Sequence, residues 1–76
     1  MIKVLVVEDS PVVREFLVHI LGSDPGIQVI GTADDGEQAL LAVARKKPDV
    51  ITMDIHMPRL DGLEASLRGH LDHVVE

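Results

Sequence analysis

The sequence of 76 residues contains no cysteine, tryptophan or tyrosine, and Phe16 is its single aromatic residue. Without cysteine, neither disulfides nor thiol chemistry can contribute to fold or function. Without further aromatic rings, there is no platform on which the bases of a single-stranded nucleic acid could stack. Acidic residues outnumber basic ones, so the formal net charge is −6. This charge disfavours binding to nucleic acids and to anionic membranes.

Long hydrophobic runs are absent as well. No apolar stretch approaches the roughly 20 residues of a transmembrane helix. The apolar run before Glu8 is too short for a signal peptide, so a cytoplasmic protein is expected. Hydrophobic residues make up 46% of the chain, which is enough for the small aliphatic core of a single domain.

Three carboxylates stand where short apolar runs stop. Glu8 and Asp9 follow residues 4–7, and Asp54 follows residues 50–53. Continuous runs rich in β-branched residues are typical of strands covered on both faces of a parallel sheet. If the two strands are neighbours, the carboxylates converge in the crevice where open α/β sheets bind ligands. A site with only oxygen donors favours Mg²⁺. The alternative explanation is that each carboxylate simply ends a strand at the solvent.

The order of elements predicts a small α/β sheet. Strands are expected at residues 2–8, 27–33 and 50–54, with helices beginning near Ser10 and Asp35. Ser10 and Asp35 are suited to cap these helices, and Gln38 has capping-box spacing from Asp35. The pattern β-α-β-α-β predicts parallel strands joined by right-handed crossovers.

Apolar residues at helical spacing predict the buried faces of the helices. The stripe of the first helix comprises Val12, Val13, Phe16, Leu17, Ile20 and Leu21. Residues 63–76 also have helical spacing, and we expect them to form a third helix.

Several motifs resemble the receiver domain of bacterial two-component response regulators. They are Glu8-Asp9-Ser10, Asp54, and Met57-Pro58-Arg59-Leu60-Asp61-Gly62. The segments 6–11, 23–25, 29–33, 35–40 and 47–50 are similar to the receiver of the chemotaxis protein-glutamate methylesterase. The resemblance implies a flavodoxin-like α/β fold with flanking helices and, for this chain, a truncated parallel sheet of three strands in the order 2-1-3. Residues 1–65 are expected to form the partial receiver, and residues 66–76 a tail outside the family pattern.

The resemblance also implies a chemistry. Asp54 would accept a phosphoryl group from a chemotaxis-type histidine kinase. Mg²⁺ would be held by Asp9 and Asp54 directly, by Glu8 through water, and by the backbone carbonyl of His56. The methylesterase activity of the family would reside in a C-terminal domain outside this sequence, so the chain itself is not expected to be an enzyme.

The chain departs from the family after the third strand. A complete receiver has two more strands, of which the fourth ends in a Ser or Thr that contacts the phosphoryl group and the fifth carries a Lys that pairs with it. None of Lys3, Lys46 and Lys47 can take that role by position, so we expect phosphorylation of this chain to be weak or absent.

An uncovered third strand would be an apolar sheet edge, and such edges pair with other chains. We therefore expect a homodimer in which strand three pairs antiparallel with its copy. A helix from residues 63–75 that folds back over this surface is an alternative. In a second functional hypothesis, the chain is a non-catalytic half-receiver that acts only as a self-associating interaction module.

Two other kinds of site are weaker candidates. His70 and His73 are spaced three residues apart and could both contact zinc, but no third ligand is evident. The sequence also lacks the G-x-S-x-G motif of serine hydrolases.

Overall fold

The computed structural model describes residues 1–53 and 73–75. In this part of the chain the elements are β1 (Ile2–Val7), α1 (Pro11–Gly22), β2 (Ile27–Ala33), α2 (Gly36–Lys46), β3 (Val50–Met53) and β4 (His73–Val75). The strands form one sheet in the order β2-β1-β3-β4, and each neighbouring pair is parallel. The predicted β-α-β-α-β order and the 2-1-3 arrangement are confirmed.

The fourth strand corrects two predictions. Residues 73–75 were expected to be helical, but they pair in register with Val50, Ile51 and Thr52 of β3. Two adjacent valines, Val74 and Val75, favour extended backbone because branching at Cβ restricts their rotamers in a helix. The described part of the sheet therefore has four strands, where three were predicted. The β3 edge expected to pair with a second copy is occupied by this chain itself along residues 50–52.

Both helices begin as predicted. Ser10 caps α1, where its Oγ accepts a hydrogen bond from the Val13 N–H at 3.4 Å, and Pro11 occupies the first turn. Asp35 caps α2, where its Oδ1 accepts from the Gln38 N–H at 2.8 Å. The Gln38 side chain accepts from the N–H of Asp34 at 3.5 Å, one residue earlier than in a standard capping box.

The main cluster of buried side chains lies on the α2 side of the sheet, while Val4 and Val6 of β1 are buried on the opposite face. This cluster joins buried residues of β1, β2, α2 and β3, namely Leu5, Val7, Ala33, Ala39, Val43, Ile51 and Met53. α1 packs against β2 and β1 but contributes no buried residue. The predicted stripe on α1 is therefore only partly covered, since Val12 is 77% and Phe16 62% exposed. None of the described helices is both long and apolar enough to cross a bilayer.

A β-bulge lies next to Gly31 in the pairing of β1 with β2. Val4 of β1 faces Val29 of β2, but Leu5 faces Gly31, so Ile30 is the additional residue. The Lys46 Nζ of α2 donates to the Ile30 carbonyl at 3.1 Å. A Cβ at position 31 would lie only 2.6 Å from that Nζ. Glycine thus allows a helix-end lysine to satisfy a carbonyl at the bulge.

The pairing of β1 with β3 is fixed at the start of β3 by two hydrogen bonds between the same two residues. The Lys3 N–H donates to Asp49 Oδ2 at 2.9 Å, and the Asp49 N–H donates to the Lys3 carbonyl at 2.8 Å. The register then runs from Val4 opposite Val50 to Val7 opposite Met53. This clamp defines which residues meet at the far end of the two strands.

We predict that Asp49→Ala destabilises the protein by about 1 kcal/mol, since it leaves the Lys3 N–H without its carboxylate acceptor. Urea denaturation followed by circular dichroism measures the change. Asp49→Asn keeps an oxygen acceptor and should lose less than half as much. Equal losses in the two variants would show that the charge, and not the hydrogen bond, is responsible.

Lys47 ends α2 in a left-handed backbone conformation, with φ of 49°. This conformation disfavours residues with a Cβ, so we predict that Lys47→Gly stabilises the protein by about 0.5–1 kcal/mol. Lys47→Ala keeps the Cβ while removing the charge and should show no gain. A similar stabilisation of both variants in the same denaturation assay would refute the backbone explanation.

Candidate functional site

The acidic pair predicted from sequence lies directly beyond the carboxyl end of β1. Glu8 is buried, with 6% of its surface exposed, whereas its neighbour Asp9 is exposed. A carboxylate with so little contact with water must be compensated by hydrogen bonds or by a cation. The structure therefore places one shielded and one accessible carboxylate next to each other.

Glu8 is held by three hydrogen bonds. Its backbone N–H donates to the Ala33 carbonyl at the end of β2 at 3.0 Å. Its Oε1 accepts from the Ser10 N–H at 3.1 Å. Its backbone carbonyl accepts from Nη1 of Arg14 at 2.8 Å. The segment after β1 is thus tied to β2, to the start of α1 and to a side chain of α1.

The second half of the predicted site follows β3. Met53 is buried and lies opposite Val7, so the residues just before Asp54 and just before Glu8 are paired neighbours. Asp54 and His56 lie outside the described residues, and the predicted convergence of Asp54 with Glu8 and Asp9 is not tested. The register does confirm that β1 and β3 are adjacent and parallel and that their last residues, Val7 and Met53, are paired.

The donor chemistry of this end of the sheet fits a hard divalent cation. Glu8 and Asp9 offer only oxygen ligands, which suit Mg²⁺ better than zinc. Ser10 uses one oxygen of Glu8, and we find no hydrogen bond to the other within residues 1–53 and 73–75. No group of three or more acidic, His or Cys side chains occurs within these ranges, so the described part supplies two of the four predicted ligands.

The lysines lie away from the acidic pair, as the sequence predicted. The backbone of Lys3 is bonded to Asp49 at the opposite end of β1. Lys46 donates to Ile30, and Lys47 ends α2. The three lysines thus lie at the start of β1 and at the end of α2, and not at the carboxyl end of β1.

Sequence reasoning missed Arg14, whose guanidinium reaches back six residues to the Glu8 carbonyl. Side chains on a helix lean towards its N-terminus, so an arginine in the first turn after an acidic loop was an available signal. It also missed Thr52, whose buried Oγ1 has no hydrogen-bond partner within residues 1–53 and 73–75. Of the two histidines considered for zinc, His73 lies in β4 and His70 lies outside the described residues.

Neither Glu8 nor Asp9 lines any of the three cavities found along residues 1–53 and 73–75. A cavity of about 570 Å³ is bounded by Leu40, Val43, Ala44, Lys47 and Pro48 near the C-terminal end of α2. It borders the start of β3, whereas Glu8 and Asp9 follow the end of β1.

Comparison with known proteins identifies the family to which this fold belongs. The family model of the response regulator receiver domain matches residues 4–69. A protein-glutamate methylesterase/protein-glutamine glutaminase of Nitrosospira multiformis is 70% identical over 66 residues, which are 87% of this chain and 19% of that protein. A relative of the same name from Syntrophus aciditrophicus is 63% identical over 68 residues, covering 90% of this chain and 19% of that protein.

Solved structures agree with this result. The signal receiver domain of NarL from Mycobacterium tuberculosis superposes with a TM-score of 0.84 at 33% identity, covering 97% of this chain and 64% of that one. The response regulator domain of CheB from Thermotoga maritima gives a TM-score of 0.74 at 30% identity, covering 99% of this chain and 77% of that one. The fold is thus the flavodoxin-like receiver fold predicted from the motifs.

The chain spans about one fifth of the length of these methylesterase relatives. The match is confined to their receiver region, and no enzymatic domain is evident in it. The sequence similarity therefore concerns the receiver region of these methylesterases. It does not concern the activity in their names. On the evidence of the sequence match and of the sheet order, this chain belongs to the response regulator receiver domain family.

Proposed function

We propose that this chain is a phosphoacceptor module of two-component signalling, in which Asp54 accepts a phosphoryl group from a chemotaxis-type histidine kinase in the cytoplasm. Mg²⁺ would be bound by Glu8, Asp9, Asp54 and the backbone carbonyl of His56. The observation that carries the proposal is that β1 and β3 end at paired residues, with Val7 opposite Met53. Both predicted halves of the acidic site follow directly from these two residues.

The chemistry requires one carboxylate to attack phosphorus while others hold a cation. Asp54 would be the nucleophile, because a carboxylate oxygen with fixed geometry can displace the leaving group of the donor in line. The cation, when bound, neutralises charge on the phosphoryl oxygens. Glu8, held by its three hydrogen bonds, would orient one side of the site, and the exposed Asp9 would contact the cation directly.

Phosphorylation of this chain alone should be slow. In kinases and related phosphotransfer proteins, a lysine or arginine often pairs with the transferred group and stabilises its charge. The three lysines of this sequence lie at the start of β1 and at the end of α2, away from the acidic pair. The acidic pocket would therefore act without such a lysine from this chain.

The position of β4 argues against a purely self-associating module. It required strand three to be an open edge, and β4 covers that edge along residues 50–52. A homodimer formed by pairing of β3 with its copy is therefore not part of the proposal. The phosphoacceptor function needs no second copy.

The proposal predicts that beryllofluoride, a mimic of a bound phosphoryl group, stabilises the protein only when Mg²⁺ is present. A ligand at 100 times its dissociation constant stabilises the folded state by about 2.7 kcal/mol. Thermal unfolding followed by circular dichroism, with Mg²⁺, beryllium and fluoride added singly and together, measures the effect. The parent protein should be stabilised by the full combination, and Asp54→Asn should not respond to it.

Asp24→Asn is the matched control. It removes the same charge in the loop between α1 and β2, and its side-chain oxygen can still accept from the Gly26 N–H. This variant should respond like the parent. If Asp54→Asn and the parent respond equally, Asp54 is not the acceptor, and the phosphoacceptor function is wrong for this chain.

A further inference from the structure

Among the described residues, the Arg14 side chain bonds to the backbone beside the acidic pair and not to a carboxylate. Nη1 of Arg14 donates to the Glu8 carbonyl at 2.8 Å, in a partly buried position. The backbone N–H of Arg14 donates to the Ser10 carbonyl at 2.9 Å, as part of the first turn of α1. Arg14 therefore bonds to the loop through both its side chain and its backbone.

The bonded carbonyl belongs to the peptide group that links Glu8 to Asp9. The other bonds of Glu8 hold the flanking peptide groups. The bond to Ala33 fixes the peptide before Glu8, and the bond from the Ser10 N–H fixes the peptide after Asp9. Among residues 1–53 and 73–75, Arg14 is the donor found for the middle peptide. Without it, this peptide could rotate between two fixed neighbours.

We propose that Arg14 is a positioning residue for the metal-binding acidic pair. By fixing the plane of the Glu8–Asp9 peptide, it sets the direction in which the Asp9 carboxylate leaves the backbone. The inference rests on the proposed function, since it concerns the same Mg²⁺ site. It adds a residue on α1, outside the predicted ligands, that controls the affinity of the site through geometry.

Charge and geometry make opposite predictions for this residue. A guanidinium close to two carboxylates repels an incoming cation, so loss of the positive charge alone would strengthen Mg²⁺ binding. Loss of the hydrogen bond would release the peptide and weaken Mg²⁺ binding, as loss of groups that orient metal ligands commonly does. The sign of the change therefore separates positioning from electrostatics.

Isothermal titration calorimetry with MgCl₂ tests the proposal on the parent, Arg14→Met and Arg14→Lys. Arg14→Met should weaken Mg²⁺ binding by about 10-fold, the lower end of the range for residues that orient metal ligands. Arg14→Lys retains a donor and should recover part of the loss. Arg45→Met removes an equal charge from the last turn of α2, and its Mg²⁺ affinity should match that of the parent.

A measurement without metal checks the contact itself. The carbonyl ¹³C chemical shift of Glu8 reports whether its oxygen accepts a hydrogen bond, and it should change in Arg14→Met but not in Arg45→Met. Circular dichroism establishes that each variant is folded. An unchanged Glu8 carbonyl shift, or Mg²⁺ binding by Arg14→Met that equals or exceeds that of the parent, overturns the positioning role.

Failure of the underlying function has a different signature. Asp9→Asn should abolish Mg²⁺ binding if the acidic pair is the metal site. Binding that survives Asp9→Asn, or a parent protein that binds no Mg²⁺, refutes the proposed site and the role of Arg14 with it. Binding that needs Asp9 but ignores Arg14 refutes only the positioning role.

Discussion

The parallel pairing of β1 with β3 is the constraint on which the candidate site depends. A parallel pair brings the carboxyl ends of its strands to one edge, and the register decides whether those ends are level. The Lys3–Asp49 hydrogen bonds fix the register at the other end of the strands, and Val7 then faces Met53. A shift by one residue would move the side chains of β3 to the opposite face and separate the two halves of the site.

Much of this could be predicted from the sequence because the strong signals are local. Apolar runs defined the first three strands, and the caps Ser10 and Asp35 defined the helix starts, with bounds within one residue of those observed. The placement of Glu8 and Asp9 followed from the end of β1. The lysines could be excluded from the site by position alone. These features depend on short-range patterns that tertiary packing did not override.

The remaining features depend on contacts between distant residues. β4 has three residues, too few for alternation to be visible, and its sequence also fits the helical spacing of the residues before it. The pairing of β4 with β3 across the intervening chain decides between the two states. The position of Arg14 in the first turn of α1 gave a signal, but residue type alone did not show whether its side chain contacts a backbone carbonyl or faces solvent. The incomplete burial of α1 likewise depends on which elements cover it.

Because α1 is less buried than α2, polar contacts contribute more to the position of α1 and of the site beside it. α2 is anchored by Ala39 and Val43 in the core, whereas α1 has no buried residue. Burial of apolar surface is the main source of stability for a packed helix, so α1 has less of it to hold its N-terminus against the sheet. The acidic loop enters α1 directly, and its position therefore depends on the bonds that Ser10 and Arg14 make to Glu8. With little apolar burial on α1, the directional hydrogen bonds of Ser10 and Arg14 are the contacts that the proposed orientation of the acidic pair requires.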